Sequence, residues 1–296
     1  MAQVKHILCP IDFSDASRHA LDHAVVMAGW FRSHLTVMHV RHPVFLMEPP
    51  ILFADLADSS LGTLEDVEAR LHGWLEPVRA AGIACGVLAV DGNNPAARIV
   101  EAVAQVGADL VVMGTHGRHG FERLLLGSVT ERVVRTAPCP VVTVPPPNVT
   151  TSTLPFRRVI CGVDFSDASL KALRFARSMA QESNSTLTIL HVLEWPPESE
   201  ALAMFDMTAY RDAVRTDAEE RLAKLAQDPE FASRQPTIRL VIGKPHEQIL
   251  AVAAEDHSDI VVLGVHGRTP VDLMLFGSTT NQVIRRATCP VLTLRQ

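Results

Sequence analysis

The chain has 296 residues, long for one ordinary domain and comfortable for two of about 150 each. Hydrophobic residues make up 47% and mean hydropathy is +0.16, which is enough apolar material for well-buried cores and excludes a disordered chain. The net charge of −6 comes without a basic stripe, which argues against nucleic acid as a partner, and no apolar run reaches the ~18 residues of a membrane span.

The opening MAQVKHILCPID has no apolar stretch of signal-peptide length, because Asp12 interrupts it early, so a cytoplasmic protein is expected. Strands are expected at Val4–Leu8, Leu35–Val40, Val87–Val90, Leu110–Met113 and Val141–Val144, where short β-branched runs occur. Amphipathic stretches over 16–31, 64–81, 95–106 and 128–136 alternate with them as helices. Asn94 followed by Pro95 reads as an N-cap and a first helical residue. Several strands are continuously apolar, the pattern of a parallel sheet covered on both faces.

The whole series then returns. ILCPIDFSDAS (7–17) recurs as VICGVDFSDAS (159–169), LTVMHV (35–40) as LTILHV (187–192), and ADLVVMGTHGR (108–118) as SDIVVLGVHGR (258–268). LLLGSVTERVVR (124–135) recurs as MLFGSTTNQVIR (274–285), and APCPVVTV (137–144) as ATCPVLTL (287–294). The period is too long for a solenoid, so this is a duplicated domain. The stiff, polar PPPNVTTSTLP (145–155) separates the copies. The expected organisation is a domain over 1–146, a linker over 147–155 and a second domain over 156–296. The fold class is α/β: two tandem doubly wound domains, each with a five-stranded parallel sheet and crossover helices. Ligands in such folds bind beyond the carboxyl ends of the strands.

Five cysteines are present, without a CxxC. Cys9 is matched by Cys161 and Cys139 by Cys289, in apolar strands or at strand starts, and buried structural thiols are expected.

Chemistry concentrates after the fourth strand. Gly114-x2-Gly117-x9-Gly127-Ser128 recurs as Gly264-x2-Gly267-x9-Gly277-Ser278, each time after a strand and before a helix. Glycines permit positive φ and close approach of a ligand to the main chain. N–H groups at a helix start attract anions, and the hydroxyls of Ser128, Thr130, Ser278 and Thr280 add donors, so the segment reads as a phosphate cradle. Asp12 and Asp164, ending the first strand of each copy, stand at the same sheet edge and suit a ribose hydroxyl or a base amine; Ser14 or Asp15 is better placed to cap the helix, which leaves Asp12 for a ligand. Val40 and Val192 offer only backbone groups to an adenine edge. His116 and His266 read as loop residues with backbone contacts to phosphate, and His39 and His191 as packing residues. Arg118 and Arg268 are either phosphate clamps or solvated cations.

On the G-x2-G-x9-G-(S/T) motif, the strand-one Asp, and the LHV and CPV strands, the chain resembles the universal stress protein family over nearly its whole length, as a tandem-domain member. The resemblance implies Rossmann-like sheets of order 3-2-1-4-5 and ATP, or ADP or AMP, at the strand ends, often with magnesium. In the family's ATP-binding branch the contacts map here onto Pro10, Asp12, Val40, Met113, Gly114, His116, Gly117, Gly127, Ser128, Val129 and Thr130. In the second copy they map onto Val163, Asp164, Val192, Leu263, Gly264, His266, Gly267, Gly277, Ser278, Thr279 and Thr280. It also implies pairing of the two copies, or of two chains, through the last strands at Pro140–Val144 and Pro290–Leu294. The expected function is that of a nucleotide-dependent regulator rather than an enzyme. Gly162 in place of Pro10, Pro270 in place of Gly120 and Leu273 in place of Arg123 depart between the copies, and they lead one to expect tighter binding at the first site.

Other classes fit less well. A slow ATP hydrolase would share the fold, but no GxxxxGK(S/T) is present. A phospho-receiver would use Asp91, where the second copy has Ile242. A flavin site would want aromatics, which are 5% of the chain. A nucleotide-free scaffold keeps the fold without the ligand. The apolar, proline-containing segments 44–53 and 195–205 are candidate contact surfaces.

Overall fold

The computed structural model describes residues 4–42, 62–116, 126–150, 154–195, 207–231, 234–265 and 277–295. The chain divides into two units after Asn148. The first runs β1 (His6–Pro10), α1 (Asp15–Phe31), β2 (His34–Arg41), α2 (Leu64–Trp74), α3 (Glu76–Ala80), β3 (Cys85–Asp91), α4 (Pro95–Val106), β4 (Leu110–Gly114), α5 (Ser128–Thr136) and β5 (Val141–Val144). The second runs β6 (Arg158–Gly162), α6 (Asp167–Glu182), β7 (Thr186–Leu193), α7 (Met207–Ala226), β8 (Thr237–Ile242), α8 (Pro245–Glu255), β9 (Ile260–Gly264), α9 (Ser278–Arg286) and β10 (Val291–Leu294). Strands lie in the order β3-β2-β1-β4-β5 in one unit and β8-β7-β6-β9-β10 in the other, and every pairing is parallel. Both units are therefore the doubly wound α/β sheets that the alternating pattern predicts. The central strands are buried on both faces, with all five residues of β4 inside, which is why they read as unbroken apolar runs.

The third strand runs longer than Val87–Val90, over Cys85–Asp91, and two further differences from the sequence reading have a local cause. The first strand lies two residues later than Val4–Leu8, because Pro10 still sits in register with Met38 and the Ile11 N–H bonds the Met38 carbonyl at 2.8 Å. The stretch 64–81 is two helices: Pro77 lacks an N–H and starts a new turn after Leu75 instead of extending α2. Asn94 caps α4 as expected, accepting from the Ala97 N–H at 3.2 Å.

Each sheet carries a staple at its amino-terminal edge. Asp109 Oδ2 accepts from the N–H groups of Lys5 (2.8 Å) and His6 (3.0 Å), and Asp259 Oδ2 from those of Arg157 (2.7 Å) and Arg158 (3.0 Å). Each carboxylate thus satisfies two N–H groups where the first strand of its unit begins. Cys9, Cys161 and Cys289 are buried, as structural thiols should be, whereas Cys139 is only half-buried. Burial pushes the Cys139 and Cys289 thiols up to about 12, and Cys9 and Cys161 well above their ordinary value.

Candidate functional site

The carboxyl-terminal edge of the first sheet is organised by the turn that leaves β1. Phe13 adopts a left-handed conformation at φ 64°, unusual for a bulky residue and worth about 1–2 kcal/mol of strain. It throws the chain back so that Ser14 caps α1, its Oγ accepting from the Ser17 N–H at 3.2 Å. Asp12 is not left over by this arrangement, contrary to the sequence reading. Its Oδ1 accepts from the Ser14 N–H at 3.1 Å and from the Ser14 hydroxyl at 2.5 Å. A two-residue Asx link of this kind is what short carboxylates make in turns. A carboxylate has about four acceptor positions, so a ligand role shares Asp12 with this link rather than owning it.

The second unit repeats the device. Phe165 has φ 64°, Ser166 caps α6, and Asp164 Oδ1 accepts from the Ser166 N–H at 3.0 Å and its hydroxyl at 2.6 Å. The two phenylalanines escaped the sequence reading, although DFSDAS stands in both copies and was the available signal. His39 and His191 do more than pack. Nδ1 of His39 donates to the Ile11 carbonyl at 2.8 Å and that of His191 to the Val163 carbonyl at 2.6 Å, which fixes the proton on Nδ1 because a carbonyl only accepts. Their rings lie 4.6 Å from Phe13 and Phe165.

The end of β4 faces this turn. A Cβ on Gly114 would stand 3.3 Å from the His116 carbonyl oxygen and 3.4 Å from that of Ala16, and one on Gly264 would stand 2.6 Å from the main chain of Ala168 and Ser169. These glycines are needed for strand and first helix to touch. Positive φ is not the reason: Gly127 and Gly277 have φ −58° and −47°, and neither Gly114 nor Gly264 has a positive φ.

Gly127 and Gly277 are the N-caps of α5 and α9, and neither helix has a side-chain cap. Their first N–H groups therefore point outward with the helix dipole behind them. The start of α5 is pinned to the strand end: the Gly127 N–H bonds the Thr115 carbonyl at 2.9 Å, and the Thr130 hydroxyl donates to the Gly114 carbonyl at 2.8 Å. Thr130 is buried and spends its proton inside the loop, so it is not the ligand donor the sequence suggested; Thr280 is buried likewise, its hydroxyl 3.5 Å from the Gly264 carbonyl. Ser128 and Ser278 are exposed at the helix starts, with Val129 and Thr279 half-exposed beside them. Pro10, Met113, Val163 and Leu263 are buried and bring no polar side chain to the edge, while Val40 and Val192 are half-buried at the ends of β2 and β7. The His116 Nδ1 lies 2.9 Å from the Thr115 hydroxyl. Gly117, Arg118, His266, Gly267 and Arg268 lie outside the described residues, as do the span 118–125 and its counterpart 268–276, and the contact surfaces expected over 44–53 and 196–205.

Asp91, the residue a phospho-receiver would use, is held by a bidentate Arg41 at 2.7 and 2.9 Å, and that guanidinium keeps its carboxyl below the usual carboxylate range. Among the described residues no cluster of three or more His, Cys, Asp or Glu side chains could hold a metal ion, and no helix is long and apolar enough to cross a membrane.

Residues 3–145 and 155–295 each match the universal stress protein family. The chain belongs to that family, with two of its domains in tandem. A universal stress protein of Mycobacterium tuberculosis is 28% identical over 272 residues, spanning 88% of this chain and 87% of its own. Another from Methanocaldococcus jannaschii is 34% identical over 149 residues, 48% of this chain and 83% of its own. The crystal structure of a universal stress protein from Archaeoglobus fulgidus has the same fold, with TM-score 0.66 and 25% identity over 100% of this chain and 97% of that one. In universal stress protein terms, Gly114 and Gly127 in one domain, and Gly264 and Gly277 in the other, stand with the DFSDAS turn at the same sheet edge.

Proposed function

We propose that this universal stress protein binds adenine nucleotide, ATP foremost, at the carboxyl-terminal edge of each sheet and acts as a nucleotide-dependent regulator rather than as an enzyme. The observation that carries the reading is the pair of uncapped helix starts at Gly127 and Gly277, each a nine-residue helix following the last residues of a doubly wound sheet's fourth strand. Outward N–H groups, the dipole and an exposed serine suit phosphate oxygens. Asp12 and Asp164, at the turn beside them, suit ribose hydroxyls, and the backbone at Val40 and Val192 suits the adenine edge. Magnesium, where it joins, would ride on the phosphates with water filling its shell.

Titration calorimetry of the full chain with ATP tests this. Ser128→Asp and Ser278→Asp put a carboxylate at each helix start, which favours the helix but repels phosphate. Each is expected to weaken its own site by about tenfold or more, ~1.4 kcal/mol, without loss of stability. Unchanged ATP affinity in the double variant sinks the cradle assignment. Multiple turnovers of ADP per chain would favour the slow hydrolase instead, and absence of any nucleotide binding would favour the scaffold. The first site is expected to be the tighter, because Arg123 has Leu273 as its counterpart; loss of the tighter phase in Ser278→Asp reverses that order.

A further inference from the structure

The opposite edge of the second unit holds a feature the nucleotide reading does not use. Arg158, Thr186 and Thr237, the first residues of β6, β7 and β8, border a cavity of about 490 Å³. Arg157 and Arg234 join them, so three arginines line it. Two are held in place by neutral acceptors. Arg234 donates from Nη1 to the Ser185 carbonyl and from Nη2 to Asn184 Oδ1, both at 2.5 Å. Arg158 Nη1 donates to the carbonyls of Asp256 and His257 at 3.2 and 3.3 Å.

None of these three arginines is in an ion pair among the described residues; Arg239 shows the alternative, pairing with Glu255 at 2.9 Å and Asp256 at 3.2 Å. The nearby carboxylate of Asp259 is buried and serves the backbone N–H groups of Arg157 and Arg158. The result is three arginines whose charge no ion pair among the described residues takes up, in a chain whose net charge is −6.

The rest of the wall is hydroxyl and amide, with Leu187 its single aliphatic side chain and no aromatic ring. It therefore offers no aromatic face on which a base could stack. Guanidinium forks match the paired oxygens of phosphates, and a cavity within the ordinary 300–1,000 Å³ range of ligand sites admits more than one phosphate.

We propose that this cavity is a second anion site, taking a compact diphosphate group, separate from the nucleotide edge and present once per chain. The first unit carries Lys5, His6, Arg32 and His34 at the corresponding positions, where His6 and His34 pack ring to ring at 4.9 Å and His6 Nε2 lies 2.7 Å from the Thr36 hydroxyl.

Titration calorimetry with inorganic pyrophosphate on the full chain at low salt tests this. One pyrophosphate per chain is expected. Arg157→Gln, whose side chain makes no hydrogen bond described in the fold, is expected to weaken it about tenfold, and Arg157→Gln/Arg234→Gln to abolish it. The Ser128→Asp/Ser278→Asp chain should bind it undiminished, which separates this site from the nucleotide cradle. The proposal is overturned if the wild-type chain binds no pyrophosphate, if Arg157→Gln binds it as well as wild type, or if binding disappears in the serine double variant. Arginine-dependent binding of a polyglutamate peptide without pyrophosphate binding would make the cavity an acidic-peptide dock, and would also overturn it. Should the double arginine variant fail to fold by circular dichroism, Arg157→Gln alone decides.

Discussion

The two halves of the chain agree at one edge of the sheet and part company at the other. At the carboxyl-terminal edge, the turns after β1 and β6 match bond for bond: serine cap to backbone at 3.2 Å in both, aspartate to serine hydroxyl at 2.5 and 2.6 Å, histidine to phenylalanine ring at 4.6 Å in both. At the amino-terminal edge the aspartate staples are shared, as are the Ser33 and Ser185 hydroxyls that donate to the Val4 and Phe156 carbonyls at 2.7 Å, but histidines in one unit stand where arginine and threonine stand in the other. Duplication copied a scaffold and one edge kept its chemistry, so the shared edge is where a common ligand belongs and the other edge is where the units acquire separate properties.

The comparison breaks hardest at the fourth strands, where the same glycine is unequally crowded. Alanine at Gly264 would drive its Cβ to 2.6 Å from the α6 backbone, and backbone cannot swing aside as a flexible side chain would; at Gly114 the nearest atom is 3.3 Å away. Gly264→Ala is therefore expected to cost about 3 kcal/mol and Gly114→Ala about 1 kcal/mol, read from urea unfolding. Equal costs would mean that the helix–strand spacing gives way as easily in one unit as in the other.

That inequality was not readable in the sequence, where Gly114 and Gly264 look alike and both look like ligand positions. What makes them different is a contact between a strand end and a helix about a hundred residues earlier, and spacing along the chain carries no such distance. Local features are more legible: a strand, a fixed gap and a polar helical run mark Gly127 and Gly277 as helix starts. The role of Asp12 sat in between. Its Asx link to Ser14 spans two residues and was in plain view as D-F-S, but reading it required Phe13 to turn left-handed, which propensity argues against. Thr130 is less legible because burial, not residue type, decides where a hydroxyl spends its proton.

A second inequality lies inside the first helices. His23 is buried in α1, with Nδ1 donating to the His19 carbonyl at 2.9 Å, and the corresponding residue of α6 is Phe175, also buried. Burial, chiefly, lowers the His23 pKa to about 4, with the charge of His19 adding to it and the backbone hydrogen bond opposing it. The folded unit thus resists the proton that the unfolded chain accepts near pH 6.5. The depressed folded pKa means that stability is fully present above about 6.5 and is lost as pH falls toward about 4. Between pH 7 and 5 this amounts to about 2 kcal/mol, at 1.36 kcal/mol per pKa unit. His23→Phe, which writes the second unit's residue into the first, should flatten that slope in denaturant unfolding followed at both pH values. A slope as steep as wild type would move the acid sensitivity elsewhere in the unit.

The smallest expected effect concerns the feature the units share most closely. Ser14 and Ser166 each accept from a backbone N–H at the start of their helix and donate to the preceding aspartate, with cap dihedrals of −83°, 165° and −73°, 158°. Alanine at either position removes the acceptor of the orphan N–H and one donor to the carboxylate, for about 1 kcal/mol. Because the bonds match within 0.1 Å, the two costs should agree within about 0.5 kcal/mol when Ser14→Ala and Ser166→Ala are unfolded in urea under the same conditions. A cost at Ser14 more than about 1 kcal/mol above that at Ser166 would mean that equal geometry hides unequal surroundings: Arg18 and Arg70 stand over the Trp74 and Phe13 rings in the first unit, whereas Arg221 stands over Phe165 in the second. Equality would leave the two turns interchangeable, and any difference in nucleotide affinity between the sites would then have to arise between the motif glycines rather than at the aspartates.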